Sequence, residues 1–196
     1  LCFDAWRKWE GKEQPGFWVD MDMIPFGQLQ LMSPLSSDSA KTVMDKGDIA
    51  LAGKGVSRRC QLNSDQMETF ITMRALAASP LMMGGDLPTL DEFSLKLITD
   101  PDMLACNQNG VMGSLIHAKE NIEVWKSEKR GSSEAAWVAV FNRSEVVKTF
   151  ALSTAKLGLK ESPSISLRNI WTKSKLDLNG LVKIPANGVI FIAVNQ

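Results

Sequence analysis

At 196 residues and 44% apolar content, the chain is long enough to build one large domain or two small ones around a core. Its 22 Lys and Arg balance 22 Asp and Glu, so the basic surplus that a nucleic-acid partner needs is missing. No apolar run is long enough to cross a bilayer as a helix, and no membrane partner is expected.

The chain opens on the amphipathic-looking stretch Leu1-Cys2-Phe3-Asp4-Ala5-Trp6, with no initiator Met and no secretory leader pattern, as expected of a cut or processed start. Cys2, Cys60 and Cys106 are odd in number and far apart, fitting neither a disulfide framework nor a zinc pattern. They read as buried or half-buried thiols. His117 is the only histidine, which argues against a Ser-His-Asp triad, a two-histidine metal site and a histidine-bound haem. Acid/base chemistry here has to run on carboxylates, and no metal or cofactor is expected.

The stretch Phe17-Trp18-Val19-Asp20-Met21-Asp22-Met23-Ile24-Pro25-Phe26-Gly27 sets two carboxylates two residues apart in apolar surroundings. Residues 18–24 read as a strand ended by Pro25 and Gly27. Alternation puts Trp18, Asp20 and Asp22 on one face and Val19, Met21 and Met23 on the other. An unpaired buried carboxylate is costly, so two in one strand imply partners or a substrate. A pair of buried structural acids explains the tripeptide equally well, whereas a metal-binding Asp-x-Asp has no nucleotide fingerprint beside it.

Residues 30–63 are rich in Ser, Lys, Asp and Gly, and read as a long excursion with at most short local structure. Asn63 or Ser64 then caps a helix carrying Met67, Phe70, Ile71, Arg74, Ala75 and Ala78, which stops before Pro80. Residues 81–83 read as a short buried strand closed by Gly84-Gly85. Thr89 or Asp91 caps a helix with Phe93, Leu95, Leu97 and Ile98, and a helical turn around 101–104 precedes Asn107-Gln108-Asn109-Gly110. Strand, helix, strand, helix is the order of a βα-repeat with parallel strands. Beyond residue 110 the pattern is of short strands at 122–125, 136–141, 146–152, 165–171, 181–184 and 189–194, separated by turn signals such as Asn179-Gly180 and Asn187-Gly188. That spacing predicts an antiparallel β-sandwich, and the expected domains are 1–109 and 110–196.

Taken together these motifs resemble the melibiase-type α-galactosidases, glycoside hydrolase family 27. The resemblance is carried by Trp18-Val19-Asp20-Met21-Asp22-Met23, by Ser64-Asp65-Gln66 opening a helix, and by Ser79-Pro80-Leu81-Met82-Met83-Gly84-Gly85-Asp86-Leu87. It continues through Asn107-Gln108, Glu123-Val124-Trp125, Phe141-Asn142-Arg143, Arg168-Asn169-Ile170-Trp171, Ile184-Pro185 and Gly188-Val189. The fold implied is the last two βα units of a (β/α)8 TIM barrel followed by an antiparallel β-sandwich domain. Residues 18–24 and 81–83 would be its seventh and eighth strands. Sites of such barrels lie at the C-terminal ends of the strands. The resemblance therefore puts Asp22 and Met23 at the mouth of a galactose pocket, with Trp18 of the same strand a further sugar-binding candidate. Asp20 sits deeper, in a structural role. Arg58 and Arg59, on the excursion, are candidates for binding a sugar hydroxyl.

The activity implied is retaining hydrolysis of an α-galactosidic bond by two carboxylates. The motifs that carry the family's nucleophile and acid/base are absent, so no catalytic residue is expected in this chain. Asp4 is spaced with Trp6 and Trp9 as part of a helix and is rejected as the acid/base. The partners implied are a galactoside or related α-linked sugar and the remainder of the barrel, and the chain unaided is expected to be inactive. Two alternatives stand beside this. Residues 110–196 form a carbohydrate-binding domain using Trp125, Trp137 and Trp171, or the parent enzyme acts on α-N-acetylgalactosaminides.

Overall fold

The computed structural model describes residues 2–12, 14, 16–31 and 56–195. They fall into two compact units, one made of Leu1–Met21, Leu62–Pro80 and Lys96–Gln196, the other of Asp22–Gln61 and Leu81–Leu95.

In the first unit, α1 (Cys2–Trp9) turns its aromatic side onto the β-sandwich. Trp6 is fully buried and stacks on Trp125 with ring centroids 3.7 Å apart and planes 13° from parallel, while Phe3 meets Phe141 edge-on at 5.0 Å. Asp4 sits on this helix, 3.6 Å from Arg143, in the structural place its spacing implied. The next helix, α2 (Ser64–Leu76), starts in a capping box: the Asn63 side chain accepts from the Gln66 N–H, and the Gln66 side chain accepts from the Asn63 N–H. Two threonines on it bind the sandwich. Thr69 donates to the Asn187 carbonyl at 2.8 Å, and Thr72 accepts from the Trp171 indole at 2.9 Å.

Helix α3 (Glu92–Thr99) has Asp91 accepting from the Ser94 N–H at 2.8 Å. The turn expected at 101–104 is instead a full helix, α4 (Pro101–Asn109). Asp100 caps it by accepting from Asp102 and Met103, Pro101 occupies the first turn, and Gly110 closes it in the left-handed conformation at φ 66°. Asn107 lies inside this helix, where its side chain donates to the Ser79 carbonyl at 2.8 Å.

The sandwich follows as β3 (Ser114–Lys119), β4 (Ile122–Glu128), β5 (Ala135–Asn142), β6 (Lys148–Ala151), α5 (Thr154–Leu157), β7 (Ser166–Asn169), β8 (Lys175–Leu176), β9 (Leu181–Ile184) and β10 (Val189–Asn195). Among the described residues, β3-β4-β5-β10-β7-β8 form one antiparallel sheet and β6-β9 a second. Val124, Val138, Val140 and Ile192 of the larger sheet meet Phe150 and Ile184 of the smaller, with Leu152 and Leu157 completing the core. Alternation gave the longer strands. It passed over β3, an edge strand with Ser, His and Lys, and the short α5 and β8, because weak local preference there is overridden by pairing and packing.

An ion cluster ties α4 to this sheet. Arg168 grips Asp102 with two bonds of 2.8 and 2.9 Å, and Lys173 reaches both Asp100 and Asp102. The Arg168 guanidinium, seconded by Lys173, holds the Asp102 carboxyl at about 2, below its ordinary 3.8. A folded value below the unfolded one stabilises above about pH 4, and that stability is lost as pH falls through about 2. The carboxylate is a third exposed, so solvent screening limits its contribution to about 1 kcal/mol. Thermal melts between pH 5 and pH 2 should show Asp102→Asn losing less stability than the parent, in roughly that amount.

In the second unit β1 (Gln28–Leu31) and β2 (Val56–Arg59) pair antiparallel, with Gln28 opposite Arg59 and Leu29 opposite Arg58. The ends of the expected excursion are thus a strand pair, and its middle, 32–55, lies outside the described residues. The two expected parallel strands meet at a single parallel bridge, Ile24 with Met83. The Ile24 N–H donates to Met82 at 2.8 Å, and its carbonyl accepts from Gly84 at 2.9 Å. Residues 18–23 form no ladder among the described residues, which corrects the expected continuous strand. Gln28 adds an antiparallel bridge to Asp86, just before a short 3-10 turn at Leu87–Thr89.

Candidate functional site

The strand-like alternation of 18–24 holds in its first half and reverses at one residue. Val19 and Met21 are buried, at 6% each, while Trp18 and Asp20 are exposed. Asp22 then takes a left-handed φ of 70°, so Asp22 and Met23 are both exposed and burial resumes at Ile24. Met23 is therefore not on the buried face with Val19 and Met21, as strict alternation required. The Asp22 carboxylate accepts the Met23 N–H at 2.7 Å, a local bond of the kind that lets Asp adopt this conformation.

In the first unit, side chains take the place of a strand ladder at Met21. Its N–H donates to the Ser79 hydroxyl at 3.0 Å, and its carbonyl accepts from the Arg74 guanidinium. Arg74 is 1% exposed, lies 3.3 Å above the Phe70 ring and also donates to the Phe70 carbonyl. Helical spacing had identified Arg74 only as a position on the packed face of α2. What it binds lies 53 residues away, and no local signal reveals it.

Trp18, 55% exposed, lines a cavity of about 570 Å³ with Gln14, Phe17, Ala78, Met112 and Arg130. Asp20, Asp22, Met23, Arg58 and Arg59 do not line that cavity. In the second unit Arg58 and Arg59 lie on β2 rather than on an irregular loop. Arg59 donates to the Thr89 carbonyl at 3.1 Å and lies 3.7 Å from Asp91, so its head group is already engaged. The Ser94 backbone, aided by its hydroxyl and by Arg59, lowers the Asp91 carboxyl from its ordinary value. Arg58 donates to Gln61 at 3.4 Å, and its buried Nε–H has no partner among the described residues.

One titratable group was missed. Burial, reinforced by Asp65, pushes the α2 carboxyl of Glu68 up to about 7, against a smaller opposing pull from Lys96. A folded value above the ordinary 4.5 makes the ionised form costly, so stability falls as pH rises from about 4.5 through 7. Glu68→Gln should raise the melting temperature at pH 8 by a few degrees and change it little at pH 4. Only three-dimensional burial signals this residue.

Two of the three tryptophans expected of a sugar-binding face are packed away. Trp125 is fully buried beneath Trp6, Trp171 is 8% exposed with its indole spent on Thr72, and Trp137 is half-buried. Cys106 is buried and Cys60 half-buried, both free, and burial raises the Cys106 thiol well above its ordinary value.

Residues 119–194 match the α-galactosidase C-terminal β-sandwich domain. Over its whole length the chain superposes on a Bacillus halodurans C-125 protein described as an α-N-acetylgalactosaminidase, with a TM-score of 0.77, 26% identity and 43% of that chain covered. A family 27 β-L-arabinopyranosidase from Geobacillus stearothermophilus gives 0.77 and 27%, covering 99% of this chain and 40% of its own.

The chain matches the C-terminal part of a melibiase-type α-galactosidase.

Its fold is accordingly that of the closing βα units of a family 27 (β/α)8 barrel with the β-sandwich that follows. Sequence relatives agree. Alpha-galactosidase 2 of Arabidopsis thaliana is 23% identical over 93% of the chain and 40% of its own length, and human alpha-galactosidase A is 33% identical over 50% and 23%. The chain spans less than half the length of these curated relatives. Structural neighbours have been solved with sugars, arabinose in a variant of the Geobacillus enzyme and raffinose in the Saccharomyces cerevisiae α-galactosidase.

Proposed function

We propose that this chain is the C-terminal portion of a retaining α-galactosidase-like glycoside hydrolase, with residues 1–109 completing the catalytic barrel and 110–196 forming a stabilising β-domain. The observation that carries it is the full-length superposition on family 27 enzymes at 26–27% identity, in which barrel end and sandwich occur together. In this reading Asp22 and Met23 form part of the sugar-pocket wall. A carboxylate held at φ 70° beside an exposed thioether offers an acceptor for sugar hydroxyls and an apolar contact for the ring. Arg58 and Arg59 stay candidates for a sugar hydroxyl, Arg58 beside its bond to Gln61 and Arg59 beside its contacts with Thr89 and Asp91. Trp18, 55% exposed, offers a ring face to the sugar, and Asp20 has the structural role. The nucleophile and the acid/base come from the remainder of the barrel.

The test is hydrolysis of aryl α-galactosides by the polypeptide that carries a complete barrel. Turnover that Asp22→Asn lowers about 10–100-fold in kcat/KM, the cost of one charge-assisted hydrogen bond, supports the proposal. An active parent unaffected by that change removes Asp22 from the pocket. The 196-residue chain alone should show no turnover, and activity from it would contradict the missing-carboxylate argument.

A second substrate is favoured by the neighbours themselves, one described as an α-N-acetylgalactosaminidase and one as a β-L-arabinopyranosidase. Parallel assays with those aryl glycosides decide which sugar is cleaved fastest. A carbohydrate-binding role for the sandwich has little support, since Trp125 and Trp171 present no free ring face. Titrating galactose or melibiose should leave the tryptophan fluorescence unchanged.

A further inference from the structure

A cleft of about 290 Å³ opens on the β-sandwich where β3, β6 and α5 meet. Its wall carries Lys119 and His117 of β3, Lys148 of β6 and Lys156 of α5. The only carboxylate in the lining is Glu120, 3.7 Å from Lys119, and both side chains are more than 70% exposed. A pair so exposed neutralises little. In a chain whose charges balance, three ammonium groups against one carboxylate around a single cleft are a local excess.

The elements bearing these groups are ordered. Lys148 stands opposite Ile184 in the β6-β9 ladder, and Lys156 sits 5.2 Å above the ring of Phe150, a core residue that floors the cleft. Neighbouring ammonium groups held by separate elements repel one another until a counter-charge enters. Lysines supply point charges with three rotatable donors, not the planar fork that arginine offers a carboxylate, and so suit an anion with acceptors in several directions. The volume is at the small end of ligand sites, which favours a compact ligand over a polymer.

We propose that this cleft binds a small tetrahedral oxyanion, phosphate or sulfate, either free or as the ester of a sugar. The site lies wholly on the sandwich and stands independently of the hydrolase assignment.

The test is an amide NMR titration of the ¹⁵N-labelled chain with sodium phosphate, sodium sulfate and galactose 6-phosphate, with ionic strength held constant by sodium chloride. Saturable shifts confined to His117, Lys119, residues 148–151 and Lys156 are expected. Lys148→Gln and Lys156→Gln should each weaken binding about fivefold or more, and both keep most of the side-chain length, so that circular dichroism and melting checked beside the parent separate lost binding from lost folding. Tighter binding of galactose 6-phosphate than of either inorganic ion assigns the site to a sugar ester, and equal affinities assign it to the free anion. Absence of saturation in the parent chain overturns the proposal, as do shifts that persist unchanged in the double variant.

Discussion

Gly85→Ala is expected to unfold the second unit while leaving the β-sandwich intact. A Cβ on Gly85 would stand 1.7 Å from the Phe26 carbonyl oxygen and 2.8 Å from its carbon, a backbone clash that no rotamer relieves. Nor can the opposing segment step aside, because Ile24 is hydrogen-bonded on both sides, to Met82 and to Gly84, and Phe26 is fully buried. The expected loss is about 3–5 kcal/mol, in the range reserved for changes that force the backbone to move. Hydrogen exchange should show residues 23–28 and 83–86 losing protection while β5 and β10 keep theirs. Gly84→Ala is the milder companion, since its added methyl meets the Met23 Cβ at 2.8 Å, a smaller overlap than at Gly85, although Cβ is fixed to the backbone and the segment must still shift. Equal protection in the Gly85 variant and the parent would show that the close approach is not required.

Glu123→Ala is the second large effect. This carboxylate is 2% exposed and accepts from Arg7 at 3.0 Å, from Arg143 at a shorter distance and from the Trp125 indole at 3.0 Å. Glu123 and Trp125 lie two residues apart on β4 and share a face, so one strand supplies both the anchor for two guanidiniums and the ring on which Trp6 stacks. Removing the carboxylate leaves Arg143 and the indole without their shared acceptor. Breaking a buried pair costs roughly 3–5 kcal/mol, and because both arginines are about a third exposed the expectation here is about 2–3 kcal/mol. Loss of protection should appear first in α1. Arg7→Ala should cost under about 1 kcal/mol, because it removes the more exposed partner and leaves Glu123 bonded to Arg143. Denaturant melts of the two variants check the ordering, and an Arg7 variant as unstable as the Glu123 variant would contradict it.

Much of this architecture is written locally. Asn63 and Gln66 announce the start of α2 because a capping box closes within four residues, and Gly110 announces the end of α4 because only a left-handed residue fits there. Asn179 and Asn187 mark their turns for a similar reason, with φ of 71° and 55°. Leu181–Ile184 and Val189–Asn195 follow as short β-branched, apolar runs bounded by those turns, the second buried on both faces. Motif order also carried the family resemblance, since the Trp-x-Asp-x-Asp-Met pattern and the Glu-Val-Trp pattern are contiguous.

Other features depend on residues far apart in the chain, and only the folded structure decides them. The Met21 peptide is held by Ser79 and Arg74, 58 and 53 residues onward, and Trp171 is withdrawn from solvent by Thr72, 99 residues earlier. Arg59 is drawn to Thr89 across 30 residues, a bond that no local pattern announces. The reversal at Asp22 combines both: its own carboxylate bonds the Met23 N–H locally, while Met21 before it and Ile24 after it are each held by residues far along the chain. The sequence by itself determined α2, α3, the longer sandwich strands and their turns, because those preferences rest on hydrogen bonds and periodicity spanning a few residues. In contrast, β1, β2, β3 and the broken path of 18–23 depended on pairing and packing partners elsewhere in the chain. Tertiary structure alone decided which polar groups are engaged and which remain available to a ligand, because burial and long-range pairing set that balance.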